Sequence, residues 1–566
     1  MSEQPGVFTA WAPSSFSKPA LSKLFEFRYS DASRKYRDAR CQGCKKALLK
    51  TKPERLVHHA LSCQLSDEAF VEELKLQVSE SSTQDTTASA RRSLPEGISI
   101  DEIVTDVIAV NSLPIFILES LEFRELIALI SKNYTLPHRK KFTNVLLATR
   151  AAHLRSIGLK KLMGAPNHSL TLECDGWTSC GSLSLIGLVG TQSSGESTLL
   201  DLIDASEERH TAVNIASLVL NSVAATEIPL RKFNCIVTDE ASNFKLARSI
   251  ICSEHPQLLQ YRCLAHVFNL IIGSICEFPT IKVHVNSLAA LITKTSKNKL
   301  FLAALRQRQA RRLVSIVPTR WYSVATAINV ALELRDDLAE LSIDPNLRAS
   351  AIKTIVDKND FWRSLKFLKI YVDRLSSMIG EAEARDSRLS QSFSSFLKYL
   401  NFIENELTED TLYRVVSFEA ALIHFERLDE RLLLTAYALD PRNRYKYLTK
   451  HSIRLVEETT LTILYDMGQA ESIAPAVIAE FNRYRYYLKR ELDYEGDSPT
   501  WWNQRELPLL TTVALRLDAC HASSANTERI FSCLNRIATP SRNRLNLQTI
   551  FDLASIRIHK LSDRKK

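Results

Sequence analysis

SLTLECDGWTS (169–179), SLSLIGLVGTQ (182–192) and STLLDLIDA (197–205) are β-rich runs split by Gly and Ser, whereas every segment from about 280 to 515 has helical spacing. No other feature restricts the fold as much, because a sheet that starts here must be finished without the long block that follows. The three runs predict a β-meander. TAVNIASLVLNSVAA (211–225) is spaced as a helix, FNCIVTDEAS (233–242) as a buried strand, and YRCLAHVFNLIIGSI (261–275) as a short strand entering a helix. In that order they make one α/β unit. The all-helical block cannot belong to the sheet and is a second domain or a large insertion.

At 566 residues the chain exceeds one core and predicts about three to four folding units. Only 14 Gly and 18 Pro argue for abundant helix. No apolar run approaches the about 18 residues of a membrane span, which excludes a membrane role of that kind. The start, MSEQPGVFTAWAP, lacks the basic-then-apolar order of a secretory signal. Eleven scattered cysteines, an odd number, fit a reducing cytosol or nucleus better than a disulfide framework. A net charge of +9 permits a nucleic-acid partner without requiring one. The expected organisation is a patternless 1–22, a compact Cys/His-rich 23–66, and a polar linker 67–98. A helical 99–165, the sheet unit 166–280, the helical block 281–515 and a closing 516–566 follow.

Cys41-x2-Cys44, followed by His58 or His59 and then Cys63, has the spacing of a structural Zn²⁺ site. His59 and Cys63 stand four apart on one helical face and His58 is rotated off it, which favours His59. Phe25, Phe27, Leu48, Leu56 and Leu61 offer a small core that would need the metal to fold. The segment resembles a BED finger, and fingers of that kind bind DNA. Lys45, Lys46, Lys50, Lys52 and Arg55 are available for phosphate, although a solvated face explains them equally well.

Asp175 and Asp239 each end a strand. Two carboxylates facing one cleft repel unless a cation lies between them, and Mg²⁺ suits hard oxygen donors. A strand-end turn is the bland account of either residue. Glu173 shares the face of Asp175 but lies deeper, and Glu240 points away from Asp239, so both rank below.

D-G-W-T (175–178), T-D-E-A-S-N (238–243), C-L-A-H-V-F-N-L (263–270), T-R-W (319–321), S-x-x-x-E-R-x-F-S (524–532) and R-N-R-L (542–545) occur in order. Together with the finger they resemble the hAT family of DNA transposases over nearly the whole chain from about residue 22. The resemblance implies a multidomain, mostly α protein with an RNase H-like α/β core interrupted by an all-helical insertion. It makes Glu528 the third acid beside Asp175 and Asp239, holding Mg²⁺ or Mn²⁺, and puts His266 near the scissile phosphate. Trp321, after Arg320, would stack on a displaced base, with core burial the competing reading, while Arg306, Arg308, Arg311 and Arg312 would line the DNA path. Trp501 and Trp502 read as packing. Residues 516–566 resemble the dimerisation region, implying a homodimer or higher homo-oligomer. The expected activity is nuclear cut-and-paste transposition on double-stranded element ends and target DNA. The alternative is a transposase-derived regulator that binds DNA without cutting it.

Overall fold

The computed structural model describes residues 23–29, 37–48, 56, 59–60, 63, 69, 71 and 98–563, apart from breaks at 132, 179–183, 207–210, 240, 318–319, 406–410, 429, 492–493 and 539–544. The expected 1–22 segment, most of the linker, His58, Lys50, Lys52, Arg55, Glu240 and most of R-N-R-L lie outside them. The chain is mostly helical and forms two compact units, 1–99 and 100–566.

The first unit holds a three-stranded antiparallel sheet of β1 (Phe25–Tyr29), β2 (Arg37–Cys41) and β3 (Ala47–Leu48). Its described core is Leu24, Phe25, Ala39, Cys41, Leu56 and Ala60. The side chains of Phe27, Leu48 and Leu61 lie outside the described residues. A core of this size stabilises little by apolar burial alone.

The second unit opens with α1 (Ile100–Val110), α2 (Leu121–Ile130) and α3 (Ala148–Gly164). A five-stranded sheet follows, built from β4 (Leu170–Thr178), β5 (Ser184–Gln192), β6 (Ser197–Asp204), β7 (Phe233–Thr238) and β8 (Leu259–Arg262). The strand order is β6-β5-β4-β7-β8. β4, β5 and β6 pair antiparallel, and β7 is parallel to both β4 and β8. The intervening helices are α4 (Ala212–Ala225), α5 (Ser242–Glu254) and α6 (Leu264–Glu277). Thus the meander, the buried strand and the strand-to-helix step form where their patterns placed them.

Side-chain alternation divides the sheet into two faces. Leu170, Leu172 and Cys174 of β4 enter a core completed by α4 and α5. On the opposite face Leu185, Val189, Leu199 and Leu202 pack with α1, α3, α7 (Ala525–Ile537) and α8 (Leu547–Asp563). Between Pro279 and Asp518 the described elements are helical, and they share one core with β7, β8 and α6. Trp501 and Trp502 are buried in that core, as packing residues should be. Among the described residues no single helix is long and apolar enough to cross a membrane.

Helix α8 returns the chain end to the first helices through charge. The buried Arg150 of α3 donates to Glu102 Oε1 at 2.6 Å and to Asp106 Oδ2 at 2.8 Å, and Lys560 of α8 reaches the same Asp106 oxygen at 2.8 Å. Burial works to raise the Asp106 carboxyl, but hydrogen bonds from Arg150 and Lys560 outweigh it and hold the carboxyl below its ordinary range. Stability from this pairing is therefore complete above the unfolded carboxyl value of about 4 and is lost as pH falls through the lower folded value. Arg150→Ala should cost about 2 kcal/mol at pH 7 in urea unfolding, discounted for the partial exposure of Glu102. Its stability should also depend less on pH below about 4 than that of the wild type.

Candidate active site and metal centre

In the finger, β2 ends at Cys41 and a turn brings Cys44 back beside it, Lys45 N donating to Cys41 O at 3.0 Å. Residues 59 and 60 are helical. Cys41 Sγ lies 3.9 Å from Cys63 Sγ, and Cys44 Sγ lies 3.3 Å from His59 Nε2. All four donor atoms fall within 4.8 Å of one another. Two thiolates at tetrahedral Zn–S bonds of about 2.3 Å would be about 3.8 Å apart, so the quartet fits zinc. His59 supplies the fourth donor, and the ring of Phe25 packs edge-on against it at 5.9 Å between centroids.

The candidate acids gather at the end of the central strands. β4 and β7 are paired in parallel as far as Glu173 and Val237. Asp175 and Asp239 each stand two residues beyond that pair, so alternation puts both on the face that Glu173 shares. This face carries α7. Phe531 of α7 stacks on Trp177 with ring centroids 6.2 Å apart, and a Cβ at Gly187 would lie 3.1 Å from the Phe531 ring. Phe531 thus seats the helix on the sheet, and Glu528, three residues earlier, is half-buried at its first turn.

Burial raises the Asp175 carboxyl well above the usual range, and the nearby charges of Asp239, Glu528 and Glu173 push it further. Its described counterweight is one backbone donor, Gly176 N at 2.8 Å from Oδ1. Among the described residues no Lys or Arg pairs with Asp175, Asp239 or Glu528, and the three carboxylates do not all fall within 4.8 Å of one another. Three hard carboxylates without a basic partner form a donor set that fits Mg²⁺ or Mn²⁺.

Glu173, ranked below Asp175 as a metal-binding acid, has a positioning role that sequence reasoning did not anticipate. It is fully buried in β4 and accepts from Thr191 Oγ1 at 2.6 Å, Asn526 Nδ2 at 2.6 Å and Asn526 N at 2.9 Å. Its carboxylate thus holds the first turn of α7, two residues before Glu528. The signal available was a charged residue inside the apolar run TLEC.

His266 is half-buried in the first turn of α6. This turn is tied toward the acids, because Cys263 N donates to Thr238 O and Leu264 N to Ala522 O, each at 2.9 Å. Cys263 is buried, which pushes its thiol up to about 12 and leaves it a packing residue. Arg320 is exposed, whereas Trp321 is half-buried with its indole against α6, where a Cβ on Gly273 would meet Nε1 at 2.7 Å. Arg308 is paired with Asp337 and Glu340, and Arg311 with Glu333, while Arg306 and Arg312 are exposed.

Residues 487–558 match the hAT family C-terminal dimerisation region, and 159–291 match a domain of unknown function (DUF659). The human zinc finger BED domain-containing protein 4 is 20% identical over 541 residues, covering 85% of this chain and 45% of that protein. Together these matches support an hAT-family transposase-like protein. The chain spans just under half the length of the curated relative it matches. The dimerisation match supports self-association, and it covers α7 with Glu528 and the first part of α8, through Ile558.

Two outcomes are expected. Treating the protein with a zinc chelator should release bound metal and unfold the finger, while the thermal transition of 100–566 stays in place. Calorimetry with metal analysis checks this. Glu173→Ala should lower stability by about 3 kcal/mol, because it orphans two buried donor groups of Asn526 and the Thr191 hydroxyl, whereas Glu173→Gln keeps one acceptor oxygen and should lose less. Denaturant midpoints compare the two.

Proposed function

We propose that this chain is a cut-and-paste DNA transposase of the hAT type, acting in the nucleus on double-stranded element ends and target DNA as a homodimer or larger assembly. One observation carries the reading. Asp175, which lies inside β4 and not at its end as expected, and Asp239, just past β7, each stand two residues beyond the last β4–β7 pair, on the sheet face that also carries the helix of Glu528. The strand order, with a long helical block before the final helices, supports an RNase H-like core. The finger would bind element-end sequence, in keeping with the relative named for its BED domain.

Asp175, Asp239 and Glu528 would hold Mg²⁺ or Mn²⁺. Bound there, the metal supplies Lewis-acid stabilisation of the attacking and leaving oxygens of an in-line displacement. Water first attacks one strand at the element boundary, releasing a 3′-hydroxyl on the flank. That hydroxyl attacks the opposite strand and closes a hairpin on the flanking DNA. The freed element 3′-hydroxyls then attack target DNA. His266 would hold the phosphate being cut, and Glu173 fixes the helix that presents Glu528. Trp321, seated on Gly273, would offer its remaining open face to a displaced base, with Arg320 on the neighbouring phosphate. Arg306 and Arg312 would meet DNA more readily than Arg308 and Arg311, which must first release surface carboxylates.

A second reading, a regulator that binds DNA without cutting, is favoured by the three carboxylates not all lying within 4.8 Å of one another. Incubating the protein with its own element end and Mn²⁺ decides between them. The transposase reading expects hairpin-ended flank from the wild type and none from Glu528→Gln, and binding without cleavage in either metal would leave the regulator.

A readout independent of turnover is available. Asp175 binds its proton more tightly folded than unfolded, so the metal-free fold loses stability as pH rises above about 4. Asp175→Asn should therefore melt higher than wild type without metal at pH 7, and Mn²⁺ should raise the wild-type melting temperature but not the variant's.

A further inference from the structure

A cavity of about 420 Å³ runs along α7, with Glu528 on its wall and neither Asp175 nor Asp239 in its lining. Five arginines line it, Arg320, Arg385, Arg529, Arg536 and Arg557, beside two acidic residues, Glu383 and Glu528. Among the described residues none of the five forms an ion pair, whereas Arg308, Arg442, Arg485 and Arg505 elsewhere in the unit all do. Three of the five are instead anchored on neutral acceptors. Arg529 donates to Asn526 Oδ1 and to the Glu383 carbonyl, Arg557 to the Val110 carbonyl and Ser112 Oγ, and Arg385 to the Leu561 carbonyl at 3.4 Å.

Arginines anchored on neutral acceptors keep their charge beside the cavity, and an anion with several acceptor oxygens would relieve the repulsion that two carboxylates leave among five cations. Phosphate has that chemistry, and Arg is the side chain best suited to it. The wall also presents Tyr322 and the apolar Ile530, Ile558 and Leu561. A ring beside guanidiniums suits one nucleotide, with base on tyrosine and phosphate on arginine. The volume lies in the range of small-ligand sites and is too small for a duplex.

We propose that this cavity binds one nucleotide of single-stranded DNA, the strand end that leaves the acid cleft past Glu528. This assignment deepens the transposase reading and rests on it for the identity of the strand. A free nucleotide carries the same chemistry and is the other source.

The test uses the full chain without divalent metal and a 3′-labelled, 5′-phosphorylated oligothymidylate, read by fluorescence anisotropy. Arg536→Ala combined with Arg385→Ala should weaken binding about tenfold or more and lower the slope of log affinity against log salt by about 0.7 or more, the value for one phosphate on a single strand. Arg483→Ala, an exposed arginine outside the cavity, controls for general charge and should match wild type. Affinity of the double variant equal to that of Arg483→Ala overturns the proposal. Thymidine monophosphate competing as well as the unlabelled oligonucleotide overturns the single-strand assignment. Circular dichroism confirms that the double variant is folded. The readout needs no cleavage, so a chain that holds the strand through these arginines yet never cuts DNA would refute the transposase reading and leave the site standing. A chain that cuts while the double variant binds and cuts normally would do the reverse.

Discussion

The buried carboxylate of Glu173 is the interaction on which the geometry of the second unit depends. It sits in the central strand and receives three hydrogen bonds, two of them from Asn526 across a sequence gap that contains the whole helical block. Taking a carboxylate out of water is costly unless its lone pairs are satisfied, so the site tolerates few alternative positions of α7. Neighbouring bonds extend the constraint. Tyr261 Oη donates to the His521 carbonyl at 2.5 Å, Arg516 Nε to Asn234 Oδ1 at 2.9 Å, and His521 Nε2 lies 2.8 Å from the Gln192 carbonyl. The segment before α7 is thus stitched to β5, β7 and β8, and the last helices come back to the sheet in one register.

Charge is sorted around α7. Asp175 and Asp239 lie beyond the last β4–β7 pair, the arginines line the cavity along the helix, and Glu528 belongs to both surroundings. Partial burial strengthens both fields, because less water screens them than at an open surface. Burial together with Glu528 also raises the Glu383 carboxyl, while burial lowers the Arg529 guanidinium, so both pay for their place beside the acids. An arrangement of this kind gains little stability by itself and makes physical sense when ligands of opposite charge arrive.

Much of this was legible before any coordinates. Alternation in runs such as SLTLEC (169–174) comes from the two-residue repeat of a strand, and it correctly placed β4, β5, β6 and β7. Likewise the Cys/His spacing anticipated the four donors that the structure brings together, with His59 and not His58 among them, although Cys63 itself is not helical. What stayed hidden has a common cause. Arg385, Arg529, Arg536 and Arg557 come from three separate segments, and each looks like an ordinary charged residue until folding brings them to one cavity. Trp321 is similar, since only the space above Gly273 shows how far its ring is covered.

Local periodicity and ligand spacing therefore determined the element order, the finger donors and the strands that carry Asp175 and Asp239, because each depends on residues a few positions apart, whereas Glu528 was reached through the family resemblance alone. Tertiary structure alone decided that Glu173 clamps α7, that Arg308 and Arg311 are occupied on the surface, and that five arginines converge beside Glu528. Those outcomes depend on pairings between residues far apart in sequence, often hundreds of positions, and no short-range repeat encodes them.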